Sequence, residues 1–166
     1  MSQALKRATV ILAVGAAVFL AFDRFGPWQS GRGYRPRPVG ALTADGVERR
    51  RAIDGHFHVS GSVNGRPVAF MVDTGASTVA VSAAMSQRLE LGDCRPRTYG
   101  TAGGMVQGCE ARADELTVAG LRLRDVRIAV LPEQSEDLAL LGMNVLRHFR
   151  IETEGSTMRL RARTDS

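Results

Sequence analysis

Six consecutive apolar residues, Pro67 to Val72, run straight into Asp73-Thr74-Gly75. A strand shows successive side chains to opposite faces, so an unbroken apolar run predicts a strand buried on both faces, inside a sheet and not at its rim. Upstream, His56 to Val63 alternates, with Phe57, Val59, Gly61 and Val63 on one face. Asn64-Gly65 between the two segments is the dipeptide that most favours a two-residue hairpin turn. The chain therefore contains a hairpin whose second arm delivers a carboxylate.

Further strand-like stretches lie at 97–101, 105–112, 115–119, 121–131 and 157–161. Leu121-Arg122-Leu123-Arg124 and Met158-Arg159-Leu160-Arg161 alternate cleanly, which predicts strands with one solvated face. Ser82 to Leu91 reads as a short helix, with Ser82 as N-cap and Met85 and Leu89 on one side. Short strands joined by Gly-bearing turns predict an all-β barrel or sandwich, and 166 residues suffice for one such domain.

Residues 8–22 (ATVILAVGAAVFLAF) are apolar throughout, preceded by Lys6-Arg7 and followed by Asp23-Arg24. A helix of that length spans about 22 Å, short of the roughly 30 Å of hydrocarbon in a bilayer. Leu5 and Phe25, with the flanking charges snorkelling, extend it towards a full crossing, and Trp28 suits an interfacial position. A cleaved signal peptide is the competing reading, but the small-x-small site it needs is poor here: Phe19 spoils a cut after Ala21. Residues 1–25 are thus expected to be a membrane anchor. Residues 26–51, rich in Gly, Pro and Arg, are expected to be a tether, and 52–163 the folded domain. Arginines on both sides of the apolar run leave its orientation open. The net charge of +5 is spread along the chain, with only 5% aromatic residues, unlike the focused basic and aromatic surface of a nucleic-acid binder.

Asp73, at the end of an apolar strand in a tight Gly turn, is a carboxylate partly withdrawn from water. Thr74 and Ser77 offer hydroxyls to hold the loop, and Gly75 admits another backbone. As an isolated tripeptide this reads as an ordinary turn. Two further features argue otherwise. Leu140-Leu141-Gly142 is a second apolar strand running into a Gly, with Met143 to Leu146 following as a short helix. Between the two lies Thr98-Tyr99-Gly100-Thr101-Ala102-Gly103-Gly104, whose β-formers and Gly-rich tip suit a lid.

In that order, the hairpin, Phe70 to Ser77, the Gly-rich segment and Leu140 to Met143 resemble retropepsin-like aspartic proteases, most closely the bacterial membrane-anchored group. The resemblance covers about Ile53 to Arg163. It implies a mostly β fold: a single-lobe acid-protease barrel with short helices, here preceded by an N-terminal transmembrane helix. It implies Asp73 as catalytic residue and Thr74, Gly75, Ala76 and Ser77 as the active-site loop. Tyr99, Gly100, Thr101, Ala102, Gly103 and Gly104 would form the flap, and Leu140, Leu141 and Gly142 would support the loop. The group tends to carry Thr-Ala-Asn-Gly at the flap tip, where this chain has Thr101-Ala102-Gly103-Gly104.

Aspartic proteases need two carboxylates facing one water, and no other Asp here is followed by Thr-Gly or Ser-Gly. The second carboxylate would come from a second copy, making an obligate homodimer that cleaves polypeptide substrates. By resemblance, the strand near Thr157 to Leu160 would join the dimer sheet, and the domain would lie on the periplasmic side of the inner membrane. A catalytically silent lobe, serving as a membrane-tethered binding module, is the rival reading. An unrelated β-barrel is the third. No cofactor is expected. His56 and His58 share a strand face but lack metal-ligand spacing and read as surface residues. Cys94 and Cys109 lie almost symmetrically about Ala102, so they are either a disulfide at the flap base or two separate thiols.

Overall fold

The computed structural model describes residues 37–41 as backbone, and residues 46–132, 134 and 137–163 in full. The apolar run at 8–22 and the anchor expected there lie outside these residues. Among the described residues no helix is long and apolar enough to cross a membrane.

The strands are β1 (Arg37–Ala41), β2 (Val47–Arg50), β3 (His58–Val63), β4 (Arg66–Val72), β5 (Val79–Val81), β6 (Arg95–Thr101), β7 (Gly104–Val118), β8 (Leu121–Val130), β9 (Ala139–Leu141), β10 (Phe149–Glu154) and β11 (Thr157–Ala162). Two short helices, α1 (Ala83–Arg88) and α2 (Met143–Leu146), follow β5 and β9. The larger sheet has the order β1-β8-β5-β9-β4-β3-β7-β6, and an added β7–β8 pairing closes the ring β8-β5-β9-β4-β3-β7. Closure removes open edges from those six strands. The core fills the ring, with Val63, Phe70, Val79, Leu116, Leu123, Ile128 and Leu141 fully buried.

Local sequence chemistry accounts for most of these elements. Asn64 (φ 50°) and Gly65 (φ 77°) both take positive φ, as a two-residue hairpin turn between β3 and β4 requires. Asn64 also does more than turn. Its Nδ2 donates to Leu89 O (3.1 Å) and its Oδ1 accepts from Asp114 N (3.0 Å), tying the hairpin to the end of α1 and to β7. Gly61 lies where β3 begins to pair with β7: a Cβ there would sit 2.3 Å from Thr117 O, so only Gly permits the approach. Ser82 caps α1, its Oγ accepting from Met85 N at 3.0 Å, while Met85 and Leu89 are buried.

Several expectations need correction. β4 is not buried on both faces: Val68 and Phe70 are buried, but Pro67 and Ala69 are exposed and Met71 is half-buried. Its neighbours β3 and β9 cover its edges, not its outer face. The stretch read as tether contributes two strands, β1 pairing with β8 and β2 with β11. Segments 105–112 and 115–118 are one strand, β7, because its ladder with β8 keeps a single register from Cys109↔Val130 to Val118↔Leu121, although the buried set shifts from Ala111 and Ala113 to Leu116 and Val118. β11 lies between β10 and β2 in a separate three-stranded sheet, so both its edges are filled within the chain.

Candidate active site

β4 carries Asp73 out of the barrel wall. Val72 pairs in parallel with Leu141 of β9, and the Asp73 N–H donates to Leu141 O at 3.1 Å, so the ladder reaches the carboxylate-bearing residue itself. The loop then turns on its own side chain: the Gly75 N–H donates to Asp73 Oδ1 at 2.8 Å. Asp73 and Ala76 are half-buried, whereas Thr74, Gly75 and Ser77 are exposed. The bond that steadies the carboxylate therefore comes from backbone, while the Thr74 and Ser77 side chains face outward.

The Leu140-Leu141-Gly142 element clamps this loop. Met143 N donates to Ala76 O (2.8 Å) and Asn144 N to Ser77 O (3.0 Å), so the first turn of α2 supplies its otherwise unpaired N–H groups to the loop carbonyls. Gly142 makes the approach feasible, since a Cβ there would stand 2.4 Å from the backbone carbon and oxygen of Thr78. Leu141 is fully buried in the core, whereas Leu140 is half-buried on the opposite face.

Asn144 is the residue that sequence reasoning missed. It is 2% exposed; its Oδ1 accepts from Val79 N (2.9 Å) and its Nδ2 donates to Arg127 O (2.9 Å). One side-chain amide thus joins the exit of the Asp73 loop to β8. The available signal was a polar residue inside an otherwise apolar helix, Met143-Asn144-Val145-Leu146.

The expected flap is the β6–β7 hairpin. Its ladder runs from Arg95↔Glu110 to Thr101↔Gly104, leaving Ala102-Gly103 as the turn. Thr101 Oγ1 braces that turn, donating to Gly104 O (2.9 Å) and accepting from Gly103 N (3.2 Å). Cys94 and Cys109 form a disulfide with a Cα–Cα separation of 5.3 Å. The hairpin centre falls between Ala102 and Gly103, so Pro96, not Cys94, lies opposite Cys109, and the bridge runs diagonally from just before β6. Tyr99 is half-buried on this hairpin, its hydroxyl donating to Cys109 O at 3.3 Å. Burial and, secondarily, the Glu110 carboxylate push its phenol up to about 12. His58 pairs with Asp54 at 2.8 Å. The His56 N–H, and then His58, hold the exposed Asp54 carboxyl below its usual range. No cluster of metal-ligating side chains occurs among the described residues.

A family model described as "gag-polyprotein putative aspartyl protease" matches residues 59–148, from β3 through α2. The chain belongs to this family, the retropepsin-like aspartic proteases. It is similar to a crystal structure of a retropepsin-like aspartic protease from Rickettsia conorii, with a TM-score of 0.61 and 26% identity, covering 78% of this chain and 96% of that one. The fold is accordingly the mostly β, barrel-like retropepsin fold with few helices. Over 103 residues the chain is also 33% identical to an uncharacterised protein of Rickettsia prowazekii (strain Madrid E) and 27% identical to one encoded in the cobV 5′ region of Sinorhizobium sp.. Each match covers 60% of this chain and 44% of the relative, so the chain spans under half the length of these curated relatives. Family and fold support a peptidase.

Proposed function

We propose that the protein is an aspartic endopeptidase, active as a homodimer in which Asp73 of each copy faces one water across a two-fold axis. The observation that carries this reading is the backbone-steadied Asp73 carboxylate on a loop clamped by Gly142 and α2. No second Asp-Thr-Gly or Asp-Ser-Gly exists in the chain. Two carboxylates about 3 Å apart cannot both ionise, so they share one proton and titrate as a pair. The ionised member takes a proton from the water, whose oxygen attacks the peptide carbonyl carbon. The protonated member hydrogen-bonds the carbonyl oxygen. Thr74, Gly75, Ala76 and Ser77 would frame the reacting peptide, and the 99–104 hairpin would close over it. With β11 enclosed between β10 and β2, the dimer contact would use an outer strand of that sheet.

The same reading places the domain outside the cytoplasm of a bacterium, held in the inner membrane by residues 8–22. The Cys94–Cys109 bridge supports an oxidising compartment. If both cysteines proved alkylatable in untreated cells, that placement would be wrong.

The deciding experiment incubates the full chain in detergent with an unstructured protein over a range of pH, beside Asp73→Asn. Cleavage by the parent alone is expected. Equal cleavage by both, or none by either, refutes the mechanism, and a strictly monomeric active species refutes the shared site.

A further inference from the structure

Strand register carries one face of the sheet from the Asp73 loop to the base of the β6–β7 hairpin. Residues paired across a ladder point to the same side. Met71, two residues before Asp73, pairs with Leu140; Leu140 pairs with Ala80; Ala80 with Ala129; Ala129 with Glu110; and Glu110 with Arg95. The alternate residues of the same strands, such as Leu141, Val79, Val81, Ile128 and Ala111, are the ones that fill the core. The row therefore runs on the side that bears Asp73, from half-buried Met71 and Leu140 through buried Ala80 and Ala129 to charged residues at β7 and β6.

The charged end is organised. The Glu110 side chain is only 18% exposed, with Arg97 NH2 3.7 Å from one carboxylate oxygen and Arg127 NH1 3.7 Å from the other. Arg97 and Arg95 share a face of β6, and Arg95 is exposed. Two guanidiniums thus flank one carboxylate, and Arg95, the ladder partner of Glu110, adds a third positive charge on the neighbouring strand. Each Glu110 oxygen lies 3.7 Å from a guanidinium nitrogen, so its single negative charge is already offset and an incoming Lys would meet a net positive surface. Arg97, 42% exposed, has N–H donors beyond the one directed at Glu110.

We propose that Arg95 and Arg97, the latter held by Glu110 against Arg127, form a subsite at the β6 end of this face for an acidic side chain of the polypeptide substrate. The site rests on the endopeptidase reading above. Five strand-to-strand steps of about 4.8 Å separate β4 from β6 along this row, about 24 Å before the sheet's curl shortens it. At about 3.4 Å per extended residue, the acidic side chain belongs about five to seven residues from the scissile bond.

The test digests a proteome-derived peptide library with the full chain in detergent and maps residues around each cut. Enrichment of Asp and Glu at one position in that window is expected. In Arg97→Gln the enrichment falls about two- to fivefold, as for one partly screened charge pair, and it weakens in the parent at high salt. Arg97→Glu inverts the preference towards Lys and Arg. Cleavage by the parent with no acidic enrichment, or the same profile in both Arg97 variants, overturns the subsite while leaving the peptidase intact. Absence of any cleavage by the parent overturns both.

Discussion

Replacing Asn144 tests how the Asp73 loop is held. Its amide satisfies the Val79 N–H at 2.9 Å and the Arg127 carbonyl at 2.9 Å, in surroundings where the residue is 2% exposed. Asn144→Ala strands one buried donor and one buried acceptor. Each unsatisfied group costs about 1–3 kcal/mol, so a loss of about 3 kcal/mol is expected for the pair. With a urea dependence of about 1.5 kcal/mol/M, the unfolding midpoint should fall by about 2 M. Asn144→Asp keeps the acceptor for Val79 but sets a carboxylate oxygen against the Arg127 carbonyl, so it should lose at least as much. Urea unfolding followed by far-ultraviolet circular dichroism at one protein concentration measures both. A loss below about 0.5 kcal/mol for Asn144→Ala would mean that water replaces the amide, and the clamp described here would be wrong.

Two further outcomes follow from the hairpin. In a Tyr34→Phe background, the phenolate absorbance of Tyr99 should rise with a midpoint near 12; a midpoint near 10 would show that the ring is not buried. Because its folded pKa is raised, Tyr99 contributes stability that is fully present below pH 10 and is lost as pH rises towards 12. Converting both Cys94 and Cys109 to Ser opens a loop with a sequence separation of 15, which should cost about 3 kcal/mol on the chain-entropy view. Thermal unfolding reads that loss, and an unchanged midpoint would refute it.

What the sequence disclosed was what depends on neighbours in the chain. Asn64-Gly65, the Ser82 cap and the alternation in β8 and β11 are local preferences, and each appears in the structure as the chemistry requires. Contacts between distant segments were less legible. Gly61 looks like any strand position until β7 arrives beside it. Asn144 gains its role from Val79 and Arg127, 65 and 17 residues away. The unbroken apolar run of β4 overstated burial because composition does not say which face a second layer covers. β1 and β2 were hidden because these short, Arg-bearing segments have no apolar periodicity of their own and are defined by pairing with the distant strands β8 and β11. The Leu-Leu-Gly pattern marked the supporting element, while the charged row through Glu110 emerges only from the register of five strand pairs.

The diagonal disulfide has a mechanical consequence. It joins the segment before β6 to Cys109 and leaves the hairpin beyond it as a cantilever with a pinned root. From Cys109 to the Ala102-Gly103 turn is six residues, a lever arm of about 20 Å. Rocking that arm by about 10° would sweep its tip through about 3.5 Å, close to the advance of one residue along an extended strand. Opening and closing would then come from bending at one fulcrum, with the paired strands travelling as a stiff blade.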